Sequence, residues 1–163
     1  MKNNIFILNK VNERIISQLV NIHFSALNEF NFRNWSFQDF VDLINNGSSI
    51  FYYVLNNRIV GFSVVRFNED FTEIIIIAVD SNYQKKKIGQ NIINYIINNP
   101  NFKGCMILDV AKTNINAINF YKKFGFKKIG QRKKYYLIVQ GDKAGQKIDA
   151  MVMQLQLNPT TFQ

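Results

Sequence analysis

Asp109 is the only charged residue in the otherwise apolar run CMILDVA, residues 105–111. A carboxylate set in such a run needs a partner or a pocket. Burial would suit it to take the proton of an ammonium group, directly or through a water. The other reading is a strand-end aspartate that caps nearby backbone. Glu73, just ahead of IIIIAV, is a second carboxylate beside apolar strand. Between the two lies the stretch Gln84, Lys85, Lys86, Lys87, Ile88, Gly89, Gln90. Its three lysines suit either a solvated patch that meets phosphates non-specifically or a turn built to hold one pyrophosphate. His23 stands alone and reads as structural. The sequence shows no Cys/His cluster for a metal and no Ser-His-Asp arrangement.

These residues need elements to place them. IFIL at 5–8 reads as a short strand, and Asn12 to Leu27 has helical spacing. Ser36 is a plausible N-cap for FQDFVDLINNG, with Phe37, Phe40, Val41 and Ile44 on one stripe and Gly47 at the end. IFYYVL and IVGFSVVRF around Asn56-Asn57 predict a hairpin, because asparagine tolerates positive φ. The continuous isoleucines of FTEIIIIAV predict a strand buried on both faces. A helix is expected to start near Lys86 and carry Ile88, Ile92, Ile93, Ile96 and Ile97 to the stop at Pro100. After CMILDVA, Asn114 opens a helix with Ala117, Ile118, Tyr121 and Phe124, ended by Gly125. FKKIGQRKKYYLIV and KIDAMVMQLQL close the chain as two strands joined by the loop Gln140–Gln146. The order predicts an α/β fold, a mixed sheet with helices on both faces.

A chain of 163 residues that is 47% apolar and 19% charged is most simply one globular domain, spanning 1–163. Its longest apolar run, Ile74 to Val79, is too short for a membrane span, and the N-terminus lacks a secretory apolar segment. Cys105 is the only cysteine, so no intramolecular disulfide forms, and a buried thiol in a cytoplasmic protein is expected. The net charge of +9 is uneven: Lys85–Lys87, Lys122–Lys123, Lys127–Lys128 and Arg132–Lys134 lie in the C-terminal half. Such clusters suit an anionic partner, be it a phosphorylated cofactor, RNA or an acidic peptide.

In order and spacing, AVDSNYQKKKIG followed by LDVAKTNINAINFYKKFGF resembles the GNAT family of N-acetyltransferases. Gln84, Lys87 and Gly89 fall on its acetyl-coenzyme A motif, with Lys87 where a glycine is usual. Asn114, Tyr121 and Gly125-Phe126 match the second segment. The resemblance implies a single GNAT-type domain, with a central, mostly antiparallel mixed sheet of about seven strands and about four helices. It implies acetyl-CoA as co-substrate, held by Ile77, Ala78 and Val79 along the pantetheine arm and by Gln84, Lys85, Lys86, Lys87, Ile88, Gly89 and Gln90 at the pyrophosphate, with Asn114 nearby. A backbone N–H near Val79 would serve the oxyanion. Tyr121 would protonate the leaving thiolate, the alternative being a core tyrosine packed on the sheet. Asp109 or Glu73 would be the base.

Within that family, Trp35-Ser36, Tyr135-Tyr136 and Asp149-Ala150-Met151-Val152-Met153 look like segments of the bacterial ribosomal-protein alanine N-acetyltransferases. The resemblance implies a protein N-terminal amine as acceptor, that of ribosomal protein S18, contacted by Trp35, Tyr135 and Tyr136. Asp109 stands where that group has glutamate, and the Gln140–Gln146 loop is longer than usual. A small amine such as a polyamine is the same-fold alternative. A basic ribosome- or RNA-associated module without catalysis is the other. No direct nucleic-acid readout and no membrane contact are expected.

Overall fold

The structure is a computed structural model that describes residues 4–157. Seven strands and four α-helices follow in the order β1 (Ile5–Leu8), α1 (Glu13–Leu27), α2 (Phe37–Asn45), β2 (Ser49–Leu55), β3 (Arg58–Phe67), β4 (Thr72–Val79), α3 (Ile88–Ile97), β5 (Cys105–Ala111), α4 (Ile115–Phe124), β6 (Lys127–Leu137) and β7 (Lys147–Gln156). They form one sheet ordered β1-β2-β3-β4-β5-β7-β6. All neighbours are antiparallel except β4 and β5.

Local chemistry sets the boundaries. Asn12 caps α1 by accepting from the Ile15 N–H at 3.1 Å. Ser36 and Asp39 form a reciprocal capping box on α2, and Arg33 grips the Asp39 carboxylate with both terminal nitrogens, at 2.8 and 3.1 Å. Asn56 and Asn57 both have positive φ, so the β2–β3 hairpin turns without a glycine. The expected start of α3 near Lys86 is moved to Ile88, because Lys85 and Lys87 are both left-handed and cannot belong to a helix.

The apolar residues divide between two faces. Ile92, Ile93 and Ile96 of α3 and Ile118 of α4 pack with Phe51, Met106 and Met153 on one side. Ile16 and Leu19 of α1 and Phe40 of α2 pack with Ile50, Phe62 and Val64 on the other. The prediction that β4 is buried on both faces fails in its middle, where Ile75, Ile76 and Ile77 are only half-buried.

The reason lies in the sheet. β4 holds one extra residue, Ile75, against β3, since Val64 pairs with Ile76 while Val65 pairs with Ile74. At the same point β4 leaves β5: their pairing covers only Thr72–Ile74 against Met106–Leu108. Beyond it the two strands diverge, and the opening is lined by Ile75, Ile76 and Ile77 on one side and Asp109, Val110 and Ala111 on the other.

Candidate active site

Two clefts meet in this opening. One, of about 580 Å³, runs from the end of β4 past the first turn of α3 to α4. The other, of about 440 Å³, runs between Asp109, the α1–α2 connection and β6. Tyr121, Ala117 and Asn114 of the α4 region line both, as does Ile77. A group passed from one cleft to the other would pass Tyr121.

The first cleft is built from backbone. The Asp80 N–H bonds to the Val60 carbonyl at 2.9 Å. Alternation along an antiparallel ladder then turns the N–H and C=O of Val79 and Ile77 away from β3 and into the opening, while those of Ala78 face β3. Gln84 confirms the direction, donating from Nε2 to the Val79 carbonyl at 3.2 Å. Past this strand, Lys87 is the N-cap of α3 at φ 61, with no side-chain cap. The first N–H groups of α3 therefore lack partners within the helix and carry the positive end of its dipole. Lys85 and Lys87 line the cleft. Lys86 does not; its ammonium lies 5.0 Å from the centre of the Tyr83 ring. Gly89 faces Phe120, whose ring edge is 3.5 Å from where a Cβ would stand. This chain of free backbone donors, strand then helix end, fits an extended amide arm followed by a pyrophosphate.

The second cleft is aromatic around one carboxylate. Trp35 packs its indole on His23 at 5.2 Å and edge-on to Phe40 at 5.4 Å. The His23 Nδ1 accepts the Trp35 N–H at 3.5 Å, and burial lowers its pKa to about 4, so the ring is neutral at pH 7. His23 thus packs and hydrogen-bonds within the fold, and it also lines the cleft. Phe32 stacks on Tyr136 at 5.0 Å, and Tyr135 meets Tyr136 edge-on at 5.0 Å. The α1–α2 connection is tied to the chain just past β6 by a bridge between Phe32 and Ile138 and by the Val139 N–H on the Asn31 carbonyl at 2.8 Å.

Asp109 is not governed by burial alone. Its Oδ2 accepts from Arg132 Nε at 3.0 Å, and its Oδ1 is buried with no hydrogen-bond partner among the described residues. The Tyr136 hydroxyl donates to its carbonyl at 3.4 Å. Tyr121 is buried, and no described residue accepts from its hydroxyl. Burial first, and the neighbouring Tyr136 second, hold its phenol above the ordinary value, so it stays protonated at neutral pH. Tyr136 is raised too, by burial and then by Asp109. Asn114 accepts the Ala117 N–H at 3.1 Å and so caps the helix that presents Tyr121.

Of the residues expected from sequence, the clefts gather Asp109, Tyr121, Trp35, Tyr135, Tyr136, Asn114, Ile77, Ala78, Val79 and the turn 84–90 apart from Lys86. Glu73 is not among them. It lines neither cleft, because it precedes the point where β4 and β5 separate, and its carboxylate lies 3.8 Å from the Arg66 guanidinium. Arg132, Phe30 and Phe32 were missed as site residues. The aromatic density of FNFRNW in a connection between helices was the available signal for the phenylalanines. Among the described residues no group of three or more His, Cys, Asp or Glu could hold a metal ion, and no helix is long and apolar enough to cross a membrane.

Residues 15–126 match the acetyltransferase (GNAT) family. The chain belongs to that family. As a GNAT enzyme it is an acetyl-CoA-dependent N-acetyltransferase, and the backbone-lined cleft suits that co-substrate. Among similar proteins is the ribosomal protein bS18-alanine N-acetyltransferase of Escherichia coli K12. It is 27% identical over 128 residues, covering 76% of this chain and 82% of the relative. The fold matches the crystal structure of the Escherichia coli ribosomal-protein-S18-alanine N-acetyltransferase with a TM-score of 0.77 at 22% identity, over 94% of each chain. It also matches Arabidopsis thaliana Naa50 in complex with the bisubstrate analogue CoA-Ac-MVNAL, with a TM-score of 0.67 at 21% identity, over 95% of this chain and all of that one.

Proposed function

We propose that this GNAT enzyme acetylates the N-terminal α-amine of a protein, with the N-terminal alanine of ribosomal protein S18 as the first substrate to test. The observation that carries the reading is the meeting of the two clefts at Tyr121, with Asp109 as the one carboxylate among the described residues that lines the acceptor side. The relative's substrate and the peptide-bearing analogue in the plant structure support a polypeptide acceptor. Trp35, Tyr135 and Tyr136 would wall the first residue of that polypeptide.

Acetyl-CoA supplies an activated acyl group when bound. The residues divide the proton work. Asp109 accepts, directly or through a water, the proton the amine loses as its nitrogen bonds to the acyl carbon. The backbone N–H groups of Val79 and Ile77, turned away from β3, would stabilise negative charge gathering on the carbonyl oxygen. Tyr121 gives its hydroxyl proton to the sulfur as the C–S bond breaks, and recovers one from solvent. Burial disfavours a thiolate as it does a phenolate, so a thiolate released in the same cleft would also draw a proton.

The test is thiol release from acetyl-CoA with a peptide beginning with alanine, beside the same peptide blocked at its N-terminus and beside a polyamine. Turnover of the free peptide alone is expected. Equal turnover of the blocked peptide, or turnover of the polyamine alone, would overturn the α-amine reading.

A further inference from the structure

β6 brings two residues to Asp109 that a regular strand would keep apart. Arg132 meets its carboxylate and Tyr136 its carbonyl, although they are four positions apart. Four residues of extended strand span roughly 13 Å, too far for both to reach one residue. The ladder shows how the distance is shortened. Arg132 pairs with Ala150 and Tyr136 with Ile148, so Lys133, Lys134 and Tyr135 lie opposite a single residue, Asp149. Two residues of β6 are looped out, and the separation along the sheet falls to that between Ile148 and Ala150, about 7 Å.

The loop-out has a visible fastening. Lys134 at its apex is left-handed, at φ 53, a conformation that a side chain with a Cβ disfavours. Its N–H donates to Asp149 Oδ1 at 2.9 Å. The other oxygen, Oδ2, faces Lys112 Nζ at 3.5 Å, and the Asp149 carbonyl accepts the Lys112 N–H at 3.0 Å, which ties the fastening to the end of β5. The Lys134 N–H bond, with Lys112 and Lys133 adding to it, holds the Asp149 carboxyl below its ordinary range.

We propose that Asp149 is a positioning residue for acetyl transfer: by clasping the Lys134 backbone it gathers Arg132 and Tyr136 onto Asp109 and shapes the acceptor side of the site. It touches neither reacting group, and without it β6 is free to extend, drawing Arg132 and Tyr136 apart. The inference rests on the assignment of Asp109's cleft to the acceptor, so its test has one arm that needs no turnover.

In steady-state kinetics on the full chain with an alanine-initiated peptide, Asp149→Ala is expected to raise the peptide KM about tenfold and leave the acetyl-CoA KM within about twofold. Asp149→Asn retains an oxygen for the Lys134 N–H and is expected to restore most of the loss. Lys112→Ala removes only the ion pair and is expected to behave like the parent. An unchanged peptide KM in Asp149→Ala, equal rises in both KM values, or an Asn variant as impaired as Ala would overturn the proposal. The second arm follows the Arg132 Nε–H signal and Lys134 amide exchange by NMR. Loss of the Arg132 signal's paired shift together with faster Lys134 exchange in Asp149→Ala is expected, and both unchanged would overturn the clasp. If the parent turns over no peptide, the proposed acceptor fails, and this arm alone decides the role of Asp149.

Discussion

Arg132 donates from Nε to Oδ2 of Asp109 across 3.0 Å, joining the edge strand of the sheet to β5 beside the aromatic cleft. The pair is unequal in exposure, with the Arg132 side chain 55% and that of Asp109 19% accessible. Arg132 thus shields one carboxylate oxygen from the outside, while the buried Oδ1 keeps no partner among the described residues. An oxygen so placed is available to an ammonium or a water entering the cleft.

The two carboxylates singled out from sequence therefore part company. Asp109→Asn is expected to lower kcat by about a hundredfold or more, the range for loss of a general base, with little change in acetyl-CoA binding. Glu73→Gln should leave kcat within about twofold, since the Glu73 carboxylate faces Arg66 and Glu73 lines neither cleft. Steady-state rates of the two variants against the same peptide check both. A large loss in the Glu73 variant beside an unaffected Asp109 variant would reverse the assignment.

Lys87 carries a backbone demand that its side chain does not explain. It stands in the left-handed region at φ 61 immediately before α3, where the resemblance to the family led one to expect glycine. If the turn binds its anion through backbone N–H groups, shape should outweigh charge. Lys87→Gly is expected to keep the acetyl-CoA KM within about threefold, despite the lost cation. Lys87→Val keeps a Cβ and adds a second branch, which penalises this conformation, and a rise of about tenfold is expected. A larger loss in the glycine variant than in the valine variant would make the ammonium the working group.

Much of this arrangement was legible because it is local. The Ser36 cap, the helix starts at Asn12 and Asn114, the Asn56-Asn57 turn and the Gly125 stop are each decided by one or two side chains and their nearest backbone. The parting of β4 from β5 was not legible. Continuous isoleucine signals a strand without saying where its second partner ends, and the extra residue at Ile75 appears only in the pairing with β3. Arg132 escaped for a similar reason. Its meeting with Asp109 depends on residues looped out of β6, a long-range register that no spacing within KKIGQRKKYYL reveals.

Tyr121→Phe separates chemistry from packing with unusual clarity here. No described residue accepts from the hydroxyl, so its removal should cost under about 1 kcal/mol of stability. The ring contacts with Phe120 at 5.3 Å and Phe126 at 5.4 Å survive in phenylalanine. If the hydroxyl protonates the leaving sulfur, kcat should fall at least about tenfold while the melting temperature holds. An unchanged rate at unchanged stability would reduce Tyr121 to a core side chain.

His23 gives the chain a pH dependence that can be placed in advance. Burial, opposed in part by Asp39 and aided by Arg33, lowers its pKa from the ordinary 6.5 to about 4. Between those values the unfolded chain binds a proton that the folded chain refuses, so stability rises with pH across the window. The contribution is complete above about pH 6.5 and is lost as pH falls toward 4, with a ceiling of roughly 3 kcal/mol. Protonation would also set a charge beneath the Trp35 indole and remove the Nδ1 acceptor of its N–H, loosening the wall of the aromatic cleft. His23→Asn keeps an acceptor near that position and cannot titrate. Urea unfolding of the parent at pH 7.5 and pH 5 should show a loss at the lower pH that the variant largely lacks, because its remaining slope comes from carboxylates such as Asp39 that titrate lower still. Equal losses in the two proteins would show that His23 accepts its proton as readily folded as unfolded.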